Sequence, residues 1–349
     1  MPLAAEQIDD LVAATLQTFG SPSFGMIAQD LPDYPIMNQM LKKGAVKLSA
    51  SQTLEHLLMV KQSKNARHVG LYADDALAVQ DNIKKINGYW RNTTNNFIYD
   101  VKERDFNGTP EQIVDLVWTR EMDMLLGLAE KMELSFWQKP TDSTDDITPW
   151  GIQYWLKLAT SGRGFNGGDI TGFTAGPAGL ASDTYTKWKH YNAVYSNFTD
   201  DDFAEEMRRA FRACSFQSPV TGAGKDDAAA QGRYKIMSGE EVQEGLIKMA
   251  RAQNDNIGTD IAAYDGGVTF KRLGVQYVPA IDQIWTSTAY PVFMLDTAHM
   301  KVAMNSKNNF RMTGPQPVPG KHDVRAVFCD VTWNLWCTDR RRQAVLNRV

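Results

Sequence analysis

Apolar residues recur at three- and four-residue spacing through one long stretch of the chain, TPEQIVDLVWTREMDMLLGLAEKMELSFW, from Thr109 to Trp137. Ile113, Leu116, Val117, Met124, Leu128, Met132 and Phe136 form a single stripe on a helix of period 3.6. The start is well marked: Thr109 suits the N-cap, Pro110 the first helical position, and Gln112 completes a capping box. Acidic residues cluster early and Lys131 sits late, as the helix dipole favours. A helix from Pro110 to Trp137 is a rod of roughly 40 Å. A compact chain of this length has a radius of gyration of only about 20 Å. The pattern therefore predicts a spine that crosses the molecule.

Elsewhere the period shortens. Val69, Leu71, Leu77, Val79, Ile83 and Ile86 lead to Asn87-Gly88, a hairpin-turn dipeptide. Tyr89-Trp90, Phe97, Ile98, Tyr99 and Val101 follow. The expectation is an extended ribbon from Arg67 to Phe106, turning at Asn87-Gly88. At strand rise each arm could reach about 60 Å. A two-stranded ribbon is marginal alone and needs a neighbour to lie on. Near the end, Val327, Cys329, Val331, Trp333, Leu335 and Cys337 alternate through Val324 to Thr338, which places them on one face of a strand. Thr199 is the expected cap of a second helix running to about Phe216, with Phe203, Met207, Ala210 and Phe211 on one face. Asp201, Asp202, Glu205 and Glu206 precede Arg208, Arg209 and Arg212 in it, again matching the dipole. A third helix is expected from Ser238 to Ala252, and β patterns at Val268–Phe270, Leu273–Val278 and Pro291–Leu295. Residues 6–19 fit a short amphipathic helix, Gly20 to Asn38 an extended arm, and Val46 to Val60 a strand or short helix. Gln138 to Tyr195, rich in Gly, Thr and Trp, reads as an irregular path.

Length and composition narrow the functional classes. At 349 residues, with 43% hydrophobic and 22% charged residues, the chain can bury a sizeable core in two or three domains, or in one with insertions. A net charge of −4 gives no basic footprint for wrapping nucleic acid. Cys214, Cys329 and Cys337 have no metal-ligand spacing, and their odd number points to free thiols in a reducing compartment. The N-terminal residues carry acids where a signal peptide needs bases, and no stretch approaches 18 uninterrupted apolar residues. A soluble, cytoplasmically made protein is expected.

The chemical motifs are weak. Gly162-Arg163-Gly164-Phe165-Asn166-Gly167 matches the dinucleotide glycine pattern, but GDITGFTAGPAG after it cannot open the helix that aims amides at a pyrophosphate. Gly222-Ala223-Gly224-Lys225 is followed by Asp226, where a P-loop needs Ser or Thr for magnesium. His56, His68, His190, His299 and His322 are scattered, and His299 with Asp296 is a chance-level pair. No GxSxG elbow is present. Asp74-Asp75, Asp145-Asp146 and Asp201-Asp202 suit capping and solvation better than acid-base work. The nine tryptophans fit core or interface anchors, and Arg340-Arg341-Arg342 a solvated or subunit-contacting edge. No catalytic residue, cofactor site or metal site is expected. A spine, a projecting ribbon and a loose arm cannot satisfy themselves in one chain, which implies self-assembly.

In this order the pieces resemble the major capsid proteins of tailed bacteriophages, of the Hong Kong 97 type of fold. The ribbon from about Arg67 to Phe106 corresponds to that family's extended loop, and Pro110 to Trp137 to its spine helix. YSNFTDDDFAEEMRRAFRACSFQSP, residues 195–219, resembles a peripheral-domain helix. PVFMLDTAHMKVAM and VFCDVTWNLWCTDRRRQAVLN, residues 291–304 and 327–347, resemble the C-terminal part. The resemblance implies an α+β fold divided into an N-terminal arm and lead-in (1–65), an extended β-hairpin loop (66–107), a peripheral domain with the spine and an insertion (108–220), a mainly axial domain (221–290) and a return to the peripheral domain (291–349). It implies pentamers and hexamers closing as an icosahedral shell round packaged DNA, which the chain touches only non-specifically. With roughly 60 residues before the ribbon, a separate scaffolding protein is expected, together with a portal. Lys84, Lys85, Asn87, Gly88, Tyr89, Trp90, Arg340, Arg341 and Arg342 are the expected subunit contacts. No motif marks a partner asparagine or catalytic acid, so covalent cross-linking through Lys84 or Lys85 is not expected. The expected location is the virion, with no membrane partner. Two rivals stand: an encapsulin-type nanocompartment shell, and a carbohydrate-active enzyme with two carboxylates roughly 5 to 10 Å apart in a cleft.

Overall fold

The computed structural model describes residues 31–40, 46–49, 51–63, 65–71, 81–102, 110–216, 234–252, 268–271, 273–286 and 288–349. The expected helix at 6–19, the Thr109 cap, the loop holding Gly222 to Asp226, and residues 72–80 and 103–106 of the expected ribbon lie outside them. In chain order the strands are β1 Val46–Ser49, β2 Leu54–Met59, β3 Ile83–Gly88, β4 Arg91–Asp100, β5 Arg163–Gly167, β6 His190–Tyr195, β7 Tyr234–Ser238, β8 Thr269–Phe270, β9 Leu273–Tyr277, β10 Val292–Asp296, β11 Met300–Asn305, β12 Arg311–Met312, β13 Gln316–Pro317, β14 Val324–Cys337 and β15 Ala344–Arg348. The helices are α1 Pro35–Met40, α2 Pro110–Trp137, α3 Ile152–Trp155, α4 Glu205–Cys214, α5 Glu240–Ala252 and α6 Pro279–Ile284.

The long alternation in β14 organises the first sheet. Val327, Cys329, Val331, Trp333, Leu335 and Cys337 are all fully buried, as their common face predicts. Strand β4 runs antiparallel along one edge of β14, from Val324↔Asp100 to Trp333↔Arg91. On the other edge lie β11, β12 and β13, and β1 joins β11 in parallel. The spine α2 has the bounds its sequence predicts, and Val117, Met124, Leu128, Met132 and Phe136 are buried. The Asn95 amide donates to the Met124 carbonyl at 2.7 Å, Arg120 donates to the Ile98 carbonyl at 3.0 Å, and the Phe136 and Trp333 rings meet at 4.8 Å. These contacts fix the spine across β4 and β14. The side chains of Ile113 and Leu116 lie outside the described set.

The second sheet has the order β5-β6-β15-β10-β7-β9-β8. Its side chains sort by the period of two. Val292, Met294, Ala344, Leu346, Tyr191 and Ala193 enter a core covered by Phe203, Met207 and Ala210 before and within α4, and by Val242 and Leu246 of α5. Phe293, Leu295, Met237 and Val345 enter the other, larger core, shared with the first sheet and the spine. Trp137, at the end of α2, packs on Phe293 at 5.1 Å and joins the two halves.

Several expectations are corrected. Asn87-Gly88 is not a turn: β3 pairs with β2, from Leu54↔Gly88 to Met59↔Ile83, while β4 pairs with β14. A type I′ turn needs positive φ at both central residues, and neither Asn87 nor Gly88 has it. The ribbon is therefore made by β2 and β3, with residues 60–82 connecting them. Strands β6, β10 and β15 join β7 in the second sheet, whose core α4 covers. Thr199 makes no side-chain cap. The chain instead winds as a π-helical turn over Asp200–Ala204, and the Asp202 carboxylate accepts from the Ser196 and Asn197 amides. Ser238 ends β7, and the first turn of α5 is capped by Asp282, which accepts from the Glu240 amide at 3.0 Å. The stretch Gln138–Tyr195 is mostly irregular, yet it holds β5, α3 and β6, and the glycine motif at 162–167 is largely strand β5. The three cysteines are free and buried. No described helix is long and apolar enough to cross a membrane.

Candidate functional site

Alternation divides the β2–β3 ribbon into two faces. Leu54, His56 and Leu58 stand opposite Gly88, Ile86 and Lys84, and on this face Leu54 and Ile86 are buried. Glu55, Leu57 and Met59 stand opposite Asn87, Lys85 and Ile83 on the other. There Leu57 is 66%, Met59 68% and Ile83 57% exposed, and the connecting segment adds Val69 at 56% and Leu71 at 94%. Among the described residues five of the ten exposed large apolar side chains lie on this ribbon and its connecting segment, a concentration of the kind that accompanies contact surfaces. Charges frame it: Lys85 pairs with Glu55 across the strands at 2.6 Å, and Lys84 pairs with Asp81. Hydrogen bonding to these lysines lowers the pKa of both carboxyls.

The ribbon is rooted in aromatic side chains. Gly88 is buried against two of them. A Cβ there would lie 2.3 Å from the Trp336 ring and 3.1 Å from the Trp150 ring. Trp150 stacks on Tyr154 at 4.5 Å and on Trp336 at 6.1 Å, with Trp155 edge-on to both indoles at 5.8 and 5.9 Å. Buried Asn334 ties this root to β14: its Oδ1 accepts from the Trp150 amide at 2.8 Å, and its Nδ2 donates to the Tyr89 carbonyl at 2.8 Å. The Trp90 indole donates to the Ser51 carbonyl at 2.8 Å. Of the expected contacts here, Lys84, Lys85, Asn87, Tyr89 and Trp90 reach the surface, whereas Gly88 is internal packing.

Beside the root lies an open cleft of about 890 Å³, lined in part by Lys85, Tyr89, Trp90, Asp145, Trp150 and Tyr154. Asp145 accepts from the Thr148, Thr141 and Ile147 amides at 3.0 to 3.1 Å. Those bonds, Thr148's above all, bring its pKa down to about 2. A carboxylate so held stays charged near neutrality and cannot serve as the proton donor a glycosidase requires. Among the described residues no three His, Cys, Asp or Glu side chains converge as a metal site.

The terminal arginines face inward. Arg340 is fully buried. Its Nε donates to the Trp155 carbonyl at 2.9 Å, and its Nη2 donates to the Gly168 carbonyl at 2.9 Å and to His190 Nδ1 at 3.1 Å. Nη1 lies 3.4 Å from Asp169. His190 Nε2 faces the Lys157 carbonyl at 3.0 Å, which sets the ring neutral with Nδ1 as acceptor. Arg342 is buried against Asp339 and the Phe216 carbonyl, and half-buried Arg341 lies over the Phe165 and Phe216 rings at 4.4 and 4.9 Å. The expected solvated or contacting edge is therefore an internal brace between the chain's end and the segment 155–190. Asn334, His190 and Arg340 make that brace and root. Asn334 and His190 carry no signal as isolated polar residues and Arg340 reads as part of a solvated run, because the partners that draw them together lie 150 residues or more away.

The architecture is that of the bacteriophage capsid proteins. Superposition on the capsid protein of cyanophage A-1(L) gives a TM-score of 0.62 over 95% of this chain and 97% of that one, at 14% identity. The capsid protein of a native GTA particle gives 0.60 over 95% and 96%, at 11% identity. The SrpI encapsulin of Synechococcus elongatus PCC 7942 shares the fold at 0.52 over 96% and 94%, at 8% identity. No family model matches the sequence, and no curated protein does.

Proposed function

We propose that this chain is the major capsid protein of a tailed bacteriophage, assembling through pentamers and hexamers into the icosahedral head that encloses DNA. The observation that carries this reading is the exposed apolar face of the ribbon, Leu57, Met59 and Ile83, on a fold shared with capsid proteins. A two-stranded element with its apolar side in water gains stability only by lying on another surface, and heterologous contacts of that kind close into rings. In this reading the spine and the first sheet form the peripheral domain of the Hong Kong 97 type, and the second sheet with α4 and α5 the axial domain. A separate scaffolding protein and a portal complete the head, and the mildly acidic chain confines DNA without gripping it. The chain is made in the host cytoplasm and acts as a structural protein, not an enzyme.

A nanocompartment shell is the second reading, favoured by the shared fold of the encapsulin. Negative-stain microscopy with sizing of the purified protein, alone and with its scaffolding protein, tests both. Closed shells or rings of five and six support a shell protein, and nucleic acid inside shells recovered from producing cells selects the phage reading. A strict monomer under all conditions overturns both.

A further inference from the structure

Residues 31–40 lie along the spine, and the way they are held is unusual for a helix start. α1 begins at Pro35, and Tyr34 before it has no capping oxygen in its side chain suited to the first-turn amides. The cap comes from the spine instead: the Glu133 carboxyl accepts from the Ile36 amide at 3.3 Å and from the Met37 amide at 2.9 Å. Glu133 is fully buried, as is Ile36, and Leu31 and Met37 are nearly so. One turn earlier on the spine, Glu130 accepts from the Tyr34 hydroxyl at 3.2 Å.

The charged groups around this carboxyl are acidic. Burial first, and the Asp33 charge last, raise its pKa; Glu130 is its neighbour on the same helix face, and Lys131 is exposed. Asp282 of α6, the helix packed against the spine, is bound to the Glu240 amide. Among the described residues no Lys, Arg or His pairs with Glu133. The docked segment thus covers a carboxyl with two amide donors, the Trp137 indole beside it and no cation, an arrangement in which desolvation outweighs the donors' pull toward the charged form.

We propose that residues 31–40 are a proton-dependent clasp on the spine helix, with Glu133 as its trigger: docked while the carboxyl carries a proton, and loosened when it ionises. Burial, against the pull of the Met37 and Ile36 amides, raises Glu133 from 4.5 to about 7. A raised pKa in the docked state means that docking takes up a proton. The contribution is complete below about 4.5, falls through the interval, and is lost above about 7. On the shell reading above, a segment loosened near neutrality becomes available to a neighbouring copy, while the clasp itself is a property of one chain.

Hydrogen exchange of the 31–40 segment in the full-length protein, corrected for intrinsic rates, tests the clasp whether or not the protein assembles. The expected result is an opening constant that rises about fiftyfold or more from pH 5 to pH 8. Glu133→Gln, which stays neutral but turns an NH2 toward one of the two backbone amides, should keep only part of the acid-side protection and flatten the dependence to less than about threefold. Protection of β14 serves as the internal reference for an intact fold. A wild-type opening constant that does not change with pH, or a Glu133→Gln variant with the wild-type slope, overturns the proposal.

Discussion

Gly88 is where one missing methyl decides the position of a whole element. With two indoles inside contact distance of any added Cβ, Gly88→Ala must displace Trp336 or Trp150, each locked by neighbouring rings. Overpacking of this kind costs about 1 to 3 kcal/mol, read as a lowered midpoint in urea unfolding at constant slope. At the brace, burial first and the Arg340 charge second bring His190 down to about 3 from 6.5. The unfolded chain therefore takes up a proton that the folded one refuses. Stability from this residue is complete above about pH 6.5 and is lost as pH falls toward about 3. A series of unfolding curves should show wild-type protein weakening through that interval, and His190→Gln should have a shallower slope. A slope unchanged by the substitution would contradict the assignment.

At the scale of elements, the ribbon and the spine show what could be read in advance. The spine was legible because its cap, its period and its dipole all agree over one uninterrupted stretch, and β14 because six alternating apolar residues require a buried face. The ribbon's existence was legible but its pairing was not. Asn-Gly is a turn signal only where the backbone adopts positive φ, and here the glycine answers to the distant Trp336 instead. Its true partner, LEHLLM in β2, has apolar residues on both faces, so neither period stands out. The brace was illegible because an arginine run after a strand looks solvated until the segment 155–190 closes over it. The exposed side of the ribbon yields a prediction of its own. Replacing Leu57, Met59 and Ile83 by serine removes apolar surface that is already in water in the single chain. Monomer stability should change by less than about 0.5 kcal/mol per site, while assembly followed by light scattering should fail. Full-sized shells from the triple variant would show that this face is not a contact.

Across the whole molecule, the large core lies between two sheets of different topology, and the spine's last residue is set into it. Trp137 touches Phe293 of β10 and Trp285 beside α6, so the end of the first unit lies inside the wall of the second. The two halves should unfold together. Trp137→Ala should cost about 3 to 5 kcal/mol, and in calorimetry should separate one cooperative transition into two. A single transition at an unchanged temperature would mean that the halves are joined elsewhere.

The aromatic root beneath Gly88 has a mechanical consequence. A ribbon fixed at one end is a cantilever. Its paired portion, six residues per strand, extends about 20 Å from the root at strand rise. Tilting the root by about 10° moves the far end of that portion by 3 to 4 Å, about the span of one van der Waals contact. The tolerance on the packing of Trp150 and Trp336 is therefore set at the far end of the lever, where, on the shell reading proposed above, a small angular error in each copy would accumulate round a closed surface.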